Sequence, residues 1–210
     1  MFEKLIDRGF QIEFLSHARA ILQIDFPNMA EELEEILLDF TIPIEELIAG
    51  GGGEAKGTQR LRNALSDKDW PKFHFVVEKT INGVPRESQS HEVDHVREFE
   101  NGTRLALEIE WNNKDPFYDR DLENYKRLHA DGAISIGIII TRGRSLHENM
   151  KNMVLRFLDE NNIQDLDELE AWGYEPTSKQ KVAILSKVNR KNNPLTFRDA
   201  FTNKFVADKF

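Results

Sequence analysis

The stretch Arg104-Leu105-Ala106-Leu107-Glu108-Ile109-Glu110-Trp111 decides how the chain is organised. In an extended strand successive side chains point to opposite faces. Leu105, Leu107, Ile109 and Trp111 therefore share one face, and Ala106, Glu108 and Glu110 share the other. Two carboxylates point the same way. Just upstream, Asn101-Gly102 is a strong hairpin signal, and the run from His91 to Glu100 before it reads as a partner strand. The hairpin returns the chain antiparallel, so Asp94 lies beside the Glu108 to Glu110 segment, directly opposite or one residue off according to the turn. On that strand His91 and His95 share the face opposite to Asp94.

Working outward, Phe73-His74-Phe75-Val76-Val77 is a further strand, with Asn82-Gly83 as a turn pair. After Pro116 a helix-compatible segment carries Tyr118, Leu122, Tyr125 and Leu128, and then Ile134 to Ile140 is a nearly continuous apolar run, the pattern of a strand covered on both faces. Hairpin, crossover helix and buried strand make a mixed α/β core. Helical periods occupy the flanks: Phe2 to Ile24, Met29 to Phe40, a short helix after Pro43, Thr58 to Leu65, and Leu146 to Leu158. Asp165, Asp167, Glu168 and Glu170 read as an acidic connection. One domain over 1–210 is expected, with an N-terminal helical part (1–49), a core (50–145) and a helical, basic C-terminal part (146–210).

Composition narrows the function classes. The 210 residues contain no cysteine, which excludes disulfides, thiolate catalysis and cysteine-ligated zinc, and fits a reducing cytoplasm. No apolar run approaches bilayer length, and the opening Met1-Phe2-Glu3-Lys4 is charged where a secretory signal is apolar, so no membrane partner and a cytoplasmic location are expected. Gly50 to Thr58 has the glycines of a phosphate-binding loop but its lysine and glycine in the wrong order, so no nucleotide cofactor is expected. The net charge of −9 weighs against a polyanionic partner, since DNA affinity rests on Lys and Arg. Its distribution is uneven, however. Glu31, Glu32, Glu34, Glu35, Asp39, Glu45 and Glu46 crowd the N-terminal part, whereas Lys179, Lys181, Lys187, Arg190, Lys191, Arg198, Lys204 and Lys209 outnumber Asp199 and Asp208 in the tail.

Three acids on one patch repel one another, and the arrangement is tolerable if protons are shared or a hard divalent cation sits among them. Mg2+ prefers oxygen ligands and can activate water for phosphodiester hydrolysis. By alternation alone the same pattern also describes an exposed hairpin with an acidic outer face. Glu78, on the upstream strand, is a candidate fourth acid or an ordinary strand glutamate.

Glu92-Val93-Asp94 followed by Leu107-Glu108-Ile109-Glu110 resembles the PD-(D/E)xK nuclease signature as found in the BglII and BamHI group of type II restriction endonucleases, where glutamine or glutamate replaces the final lysine. Val93 stands where the signature's proline would be. The similarity continues through Glu108 to Pro116, the helix at Asp121-Leu122-Glu123 and Ile138 to Gly143, and upstream through the glycine run, short helix and Trp70, covering roughly residues 50 to 145. It implies a restriction-endonuclease-like mixed β-sheet core flanked by helices. It also implies that Asp94 and Glu108 ligate Mg2+ with the carbonyl of Ile109, that Glu110 orients or helps deprotonate the attacking water, and that cleavage leaves a 5′-phosphate and a 3′-hydroxyl. Asn112, Asn113 and Lys114 would approach double-stranded DNA, and Arg142, Arg144 and Ser145 would stand where a family loop enters the major groove. Because one site cuts one strand of a palindrome, a homodimer is expected, with the helices around Asp119 to His129 and Leu146 to Leu158 as candidate contacts. The rival readings are a structure-selective repair or junction-resolving nuclease of the same fold and a catalytically inactive DNA-binding protein on that scaffold.

Overall fold

A computed structural model describes residues 1–48, 55–110 and 115–209, and the chain divides into two compact units. The first comprises Met1–Phe40 and Thr58–Thr141, the second Thr41–Gly57 and Arg142–Phe210. The glycine run at Gly50 to Gly53 lies outside the described residues.

In the first unit, helices α1 (Glu3–Asp7), α2 (Ala18–Asp25) and α3 (Met29–Leu38) open the chain. They follow the expected apolar period, although the first pattern is interrupted at Gly9, whose φ of 95° ends α1. The short helix after Pro43 is α4 (Ile44–Ile48), which belongs to the second unit, and α5 (Lys56–Asp67) follows it. Strands β1 (Phe73–Ile81) and β2 (Val84–Val93) pair antiparallel around Asn82-Gly83, both at positive φ as a two-residue hairpin turn requires. At Asp94 the chain bends, and β3 (His95–Glu98) enters a second sheet. The expected single strand from His91 to Glu100 is thus two strands in two sheets, and the strand-face relation read for His91 and His95 does not hold.

In that sheet β3 pairs antiparallel with β4 (Arg104–Glu110), which pairs parallel with β5 (Ile136–Thr141) by way of helix α6 (Asp115–Ala130), a crossover as expected. The loop between β3 and β4 spans residues 99–103 rather than Asn101-Gly102 alone. Asn101 Oδ1 accepts from the Thr103 amide at 3.0 Å, and Gly102 takes a φ of 79°. This loop sets His95 opposite Leu107, which places Asp94 beside Glu108; a two-residue turn would have slipped it toward Ile109.

Both faces of β4 are covered. Leu105 and Leu107, fully buried, join α1, α2, α3, Leu61, Leu65 and Trp70 in one cluster, while Ala106 joins Phe75, Val93, Val96, Tyr125, Leu128 and Ile134 in another. The helices N-terminal to the core are therefore packing elements of the sheet. The run from Ile134 to Ile140 departs from expectation: Ile134 and Ile136 are buried, but Ile138, Ile139 and Ile140 stay half-buried because β5 ends the strand order β3-β4-β5.

The second unit packs α4 against helix α7 (Arg144–Glu160), followed by α8 (Leu166–Ala171), α9 (Ser178–Val188) and α10 (Phe197–Lys209). Its core includes Ile48, Met150, Val154, Leu158, Ile184 and the α10 stripe Phe197, Phe201 and Phe205. The expected acidic connection is helical instead. The Asp165 carboxylate caps α8 by accepting from the Glu168 amide at 2.9 Å, and Asp167 and Glu168 lie in its first turn, where the helix dipole favours negative charge. Among the described residues no helix is long and apolar enough to cross a membrane.

One close approach locks α6 to the sheet. A Cβ built on Gly137 of β5 would lie 2.3 Å from Cδ2 of Tyr125, whose hydroxyl donates to the Ile138 carbonyl at 3.1 Å. Gly137→Ala is expected to destabilise the protein by about 1–3 kcal/mol, read as a lower urea midpoint; an unchanged midpoint would show that the ring is free to move aside.

Candidate active site

Strand alternation turns Glu108 and Glu110 to the face of β4 that α6 covers. Glu108 is 6% exposed and Glu110 half-buried. At the bend before β3, the Asp94 amide donates to Glu108 Oε1 at 3.3 Å. The pairing of β4 with β3 ends at His95↔Leu107, while its pairing with β5 runs on to Glu110↔Thr141. The strands on the β3 side thus part where the acids stand. Lys72 closes the outer side: its ammonium lies 3.1 Å from Asp94 Oδ1 and 2.9 Å from Glu92 Oε1.

A fourth acid enters from α6. Asp121, Asn124, Tyr125 and Leu128 are spaced as one helix face, and all are buried. The expected stripe through Tyr118 and Leu122 is rotated from this one, and both of those residues are exposed. Asp121 is 1% exposed, and its Oδ1 accepts from Arg120 Nε at 3.0 Å, while its Oδ2 is buried without a hydrogen-bond partner among the described residues. The signal in the sequence was an aspartate on the helical stripe of Tyr125 and Leu128. Glu78, the earlier candidate for a fourth acid, is exposed on the β1–β2 hairpin opposite Ser88.

His91 also borders this group. Asn124 Oδ1 accepts from Arg127 at 3.0 Å, which orients the amide so that Asn124 Nδ2 faces His91 Nδ1 at 3.1 Å. Nδ1 accepts, and the proton of the neutral ring sits on Nε2, a buried atom with no partner among the described residues. Burial lowers the His91 pKa, keeping the ring neutral.

Burial pushes the Glu108 carboxyl up to about 8, with the Asp94 charge adding to the shift. Burial also raises Glu110, assisted by a hydrogen bond with Asp121. The acids therefore stand in two neighbouring pairs, Asp94 with Glu108 and Glu110 with Asp121. No cluster of three or more His, Asp or Glu closed around one point occurs among the described residues. The residues nonetheless fit a magnesium ion. Mg2+ is bound through one or two carboxylates with waters and substrate phosphates rather than in an all-protein cage, and a divalent charge would relieve both the buried Glu108 and the orphaned Asp121 oxygen.

Asp94, Glu108 and Glu110 thus come together in the first unit. Ile109 lies on β4, paired with Ile140, its side chain against the core with Leu105 and Leu107. Asn112, Asn113 and Lys114 lie outside the described residues. In the second unit Arg142 is half-buried, and Arg144 and Ser145 are exposed in the first turn of α7, so these last two stand on a helix and not in a loop.

Mixed α/β architecture, with two small sheets flanked by helices and acids presented from the central strand, is the build of a restriction-endonuclease-like fold. Residues 10–205 match the family restriction endonuclease BglII/BglIII, and the chain belongs to that family. The match takes in helices α2 and α3 and most of the basic tail, well beyond the stretch whose motifs carry the resemblance. A comparison with curated proteins gives no match. Membership makes the protein a restriction endonuclease, a hydrolase whose substrate is DNA.

The Glu108 shift has a stability consequence with a definite sign. Its folded pKa of about 8 lies above its unfolded value, so the metal-free fold is unpenalised below the unfolded pKa and loses stability as pH rises through the folded one. Each pKa unit is worth about 1.4 kcal/mol, so even half of the shift amounts to ~2 kcal/mol. In EDTA, Glu108→Gln is expected to raise Tm by roughly 4–8 °C near pH ~8.5, with the difference vanishing near pH ~4. Equal melting of the two proteins at both pH values would mean that the carboxylate is not held against Asp94.

Proposed function

We propose that the protein is a magnesium-dependent type II endonuclease of the PD-(D/E)xK superfamily, akin to the BamHI group, acting as a cytoplasmic homodimer on a palindromic site with residues 1–210 as one endonuclease domain. The observation that carries this reading is the juxtaposition of Asp94 with a buried Glu108 of elevated pKa, an arrangement suited to a hard cation and costly without one.

Asp94 and Glu108, with the Ile109 carbonyl, hold the ion. Bound there, Mg2+ supplies Lewis-acid polarisation of the phosphodiester and neutralises charge that builds up in the transition state. Glu110 orients the attacking water and takes its proton on a carboxylate oxygen, a role helped by a pKa raised through burial and Asp121. Lys72 keeps Asp94 aligned at the outer edge. The water oxygen bonds to phosphorus in line as the P–O3′ bond breaks, and the departing 3′-oxygen takes a proton from solvent, leaving a 5′-phosphate and a 3′-hydroxyl. Asn112, Asn113, Lys114, Arg142, Arg144 and Ser145 are the proposed DNA contacts, and a two-fold dimer brings one such site to each strand.

With plasmid DNA and Mg2+ the protein is expected to give discrete fragments bearing 5′-phosphates, and none in EDTA. Asp94→Asn and Glu108→Gln are each expected to lower cleavage by about 10³-fold or more while a gel shift still detects binding. Full activity in either variant removes the site assignment. Cleavage without discrete bands favours the structure-selective nuclease, and binding by the unsubstituted protein without any cleavage favours the inactive DNA-binding protein.

A further inference from the structure

We propose that Asp121 is a metal-binding residue, forming with Glu110 a second carboxylate pair that shares in holding the divalent cation beside Asp94 and Glu108. The inference rests on the magnesium-dependent reading above and adds to it a residue from the crossover helix.

Its first support is the state of the Asp121 carboxylate. The side chain is 1% exposed, one oxygen is satisfied by Arg120, and the other is buried with no donor among the described residues. An ionised group left half-satisfied in a water-poor setting is expensive unless something charged completes it. Its neighbour Glu110 is a carboxyl that can donate to Asp121 only while it keeps its proton, so ionising Glu110 leaves the Asp121 oxygen unmatched.

The charge balance supplies a second support. Five carboxylates (Asp94, Glu108, Glu110, Asp121 and, on Lys72, Glu92) gather around two cations in direct contact, Lys72 and Arg120, so acids outnumber bases there. A divalent ion would lessen that excess.

Third, Asp121 cannot leave. It shares the buried face of α6 with Asn124, Tyr125 and Leu128, and the Tyr125 hydroxyl on the Ile138 carbonyl pins that face to β5. A carboxylate kept only for its ion pair with Arg120 would need no such position.

The test uses the full chain without DNA and Mn2+ alone as probe, with free Mn2+ followed by electron paramagnetic resonance. Asp121→Asn and Glu110→Gln are each expected to weaken Mn2+ binding by about 10-fold or more, and to shrink the Mn2+-dependent rise in Tm, while Asp121→Asn in EDTA melts no lower than the unsubstituted protein. Unchanged affinity in Asp121→Asn, alongside a loss in Asp94→Asn, overturns the role of Asp121 and leaves the magnesium reading standing. Absence of Mn2+ binding by the unsubstituted protein overturns both. Should Asp121→Asn not fold, Glu110→Gln decides, and unchanged affinity there rejects the pair.

Discussion

A carboxylate held in the middle of the central strand is the constraint on which the rest of this structure depends. Glu108 cannot turn to solvent alone. In a strand of period two, a rotation or one-residue slip that exposed it would expose Leu105 and Leu107 as well, both fully buried. Each leucine is worth about 1.5–3 kcal/mol of burial, so the pair outweighs the cost of keeping Glu108 inside as a neutral acid. The apolar face of β4 thus fixes a polar group on the opposite face, where burial raises its pKa. What the fold leaves unsatisfied there is what a bound cation would satisfy.

The second acid of that pair depends on a bend rather than on a strand. Asp94 is exposed between Val93 and Val96, both buried, and the chain is held on its far side by the Val96 amide on the Pro71 carbonyl at 2.9 Å and by His95 Nδ1 against the Trp70 carbonyl at 3.3 Å. Trp70 is fully buried, and its indole donates to Glu32 Oε1 at 2.8 Å. A glutamate of acidic helix α3 therefore steadies, through Trp70, the peptide that presents Asp94. The N-terminal helices belong to the site's scaffold for this reason, in keeping with a family match that starts at residue 10.

What the sequence made legible were features governed by local periodicity: the two faces of β4, the Asn82-Gly83 turn and the β–α–β crossover, whereas periodicity leaves the register that sets Asp94 by Glu108 open between two choices. Features decided by tertiary choice were hidden. A strand pattern from His91 to Glu100 carries no mark of a bend, because both halves are strand-like and differ only in which sheet they join. On α6 two helical faces competed, and the apolar bulk of Tyr118 and Leu122 pointed to the wrong one, while the aspartate at 121 drew no role. The acidic run after Asn161 concealed a helix whose signal was present all along, an aspartate at 165 three residues before Glu168.

A net charge of −9 weighs against a substrate made of phosphates. The objection weakens once distance is considered, since at physiological ionic strength charges more than about 8 Å apart are largely screened. Phosphates therefore sense the groups beside them and not the chain's total. Much of the acid is engaged locally: Glu35 faces Lys68, Asp159 takes both forks of Arg198 at 2.6 Å, and Glu170 meets Lys181. The tail's Lys179, Arg190 and Lys191 remain exposed. At the acids themselves Lys72 and Arg120 offset part of the local charge, and a divalent ion held as proposed would offset more of it, so that a phosphate would meet a less anionic surface. An ion held there as proposed would lower the electrostatic barrier to binding and so couple metal affinity to DNA affinity through one shared set of carboxylates.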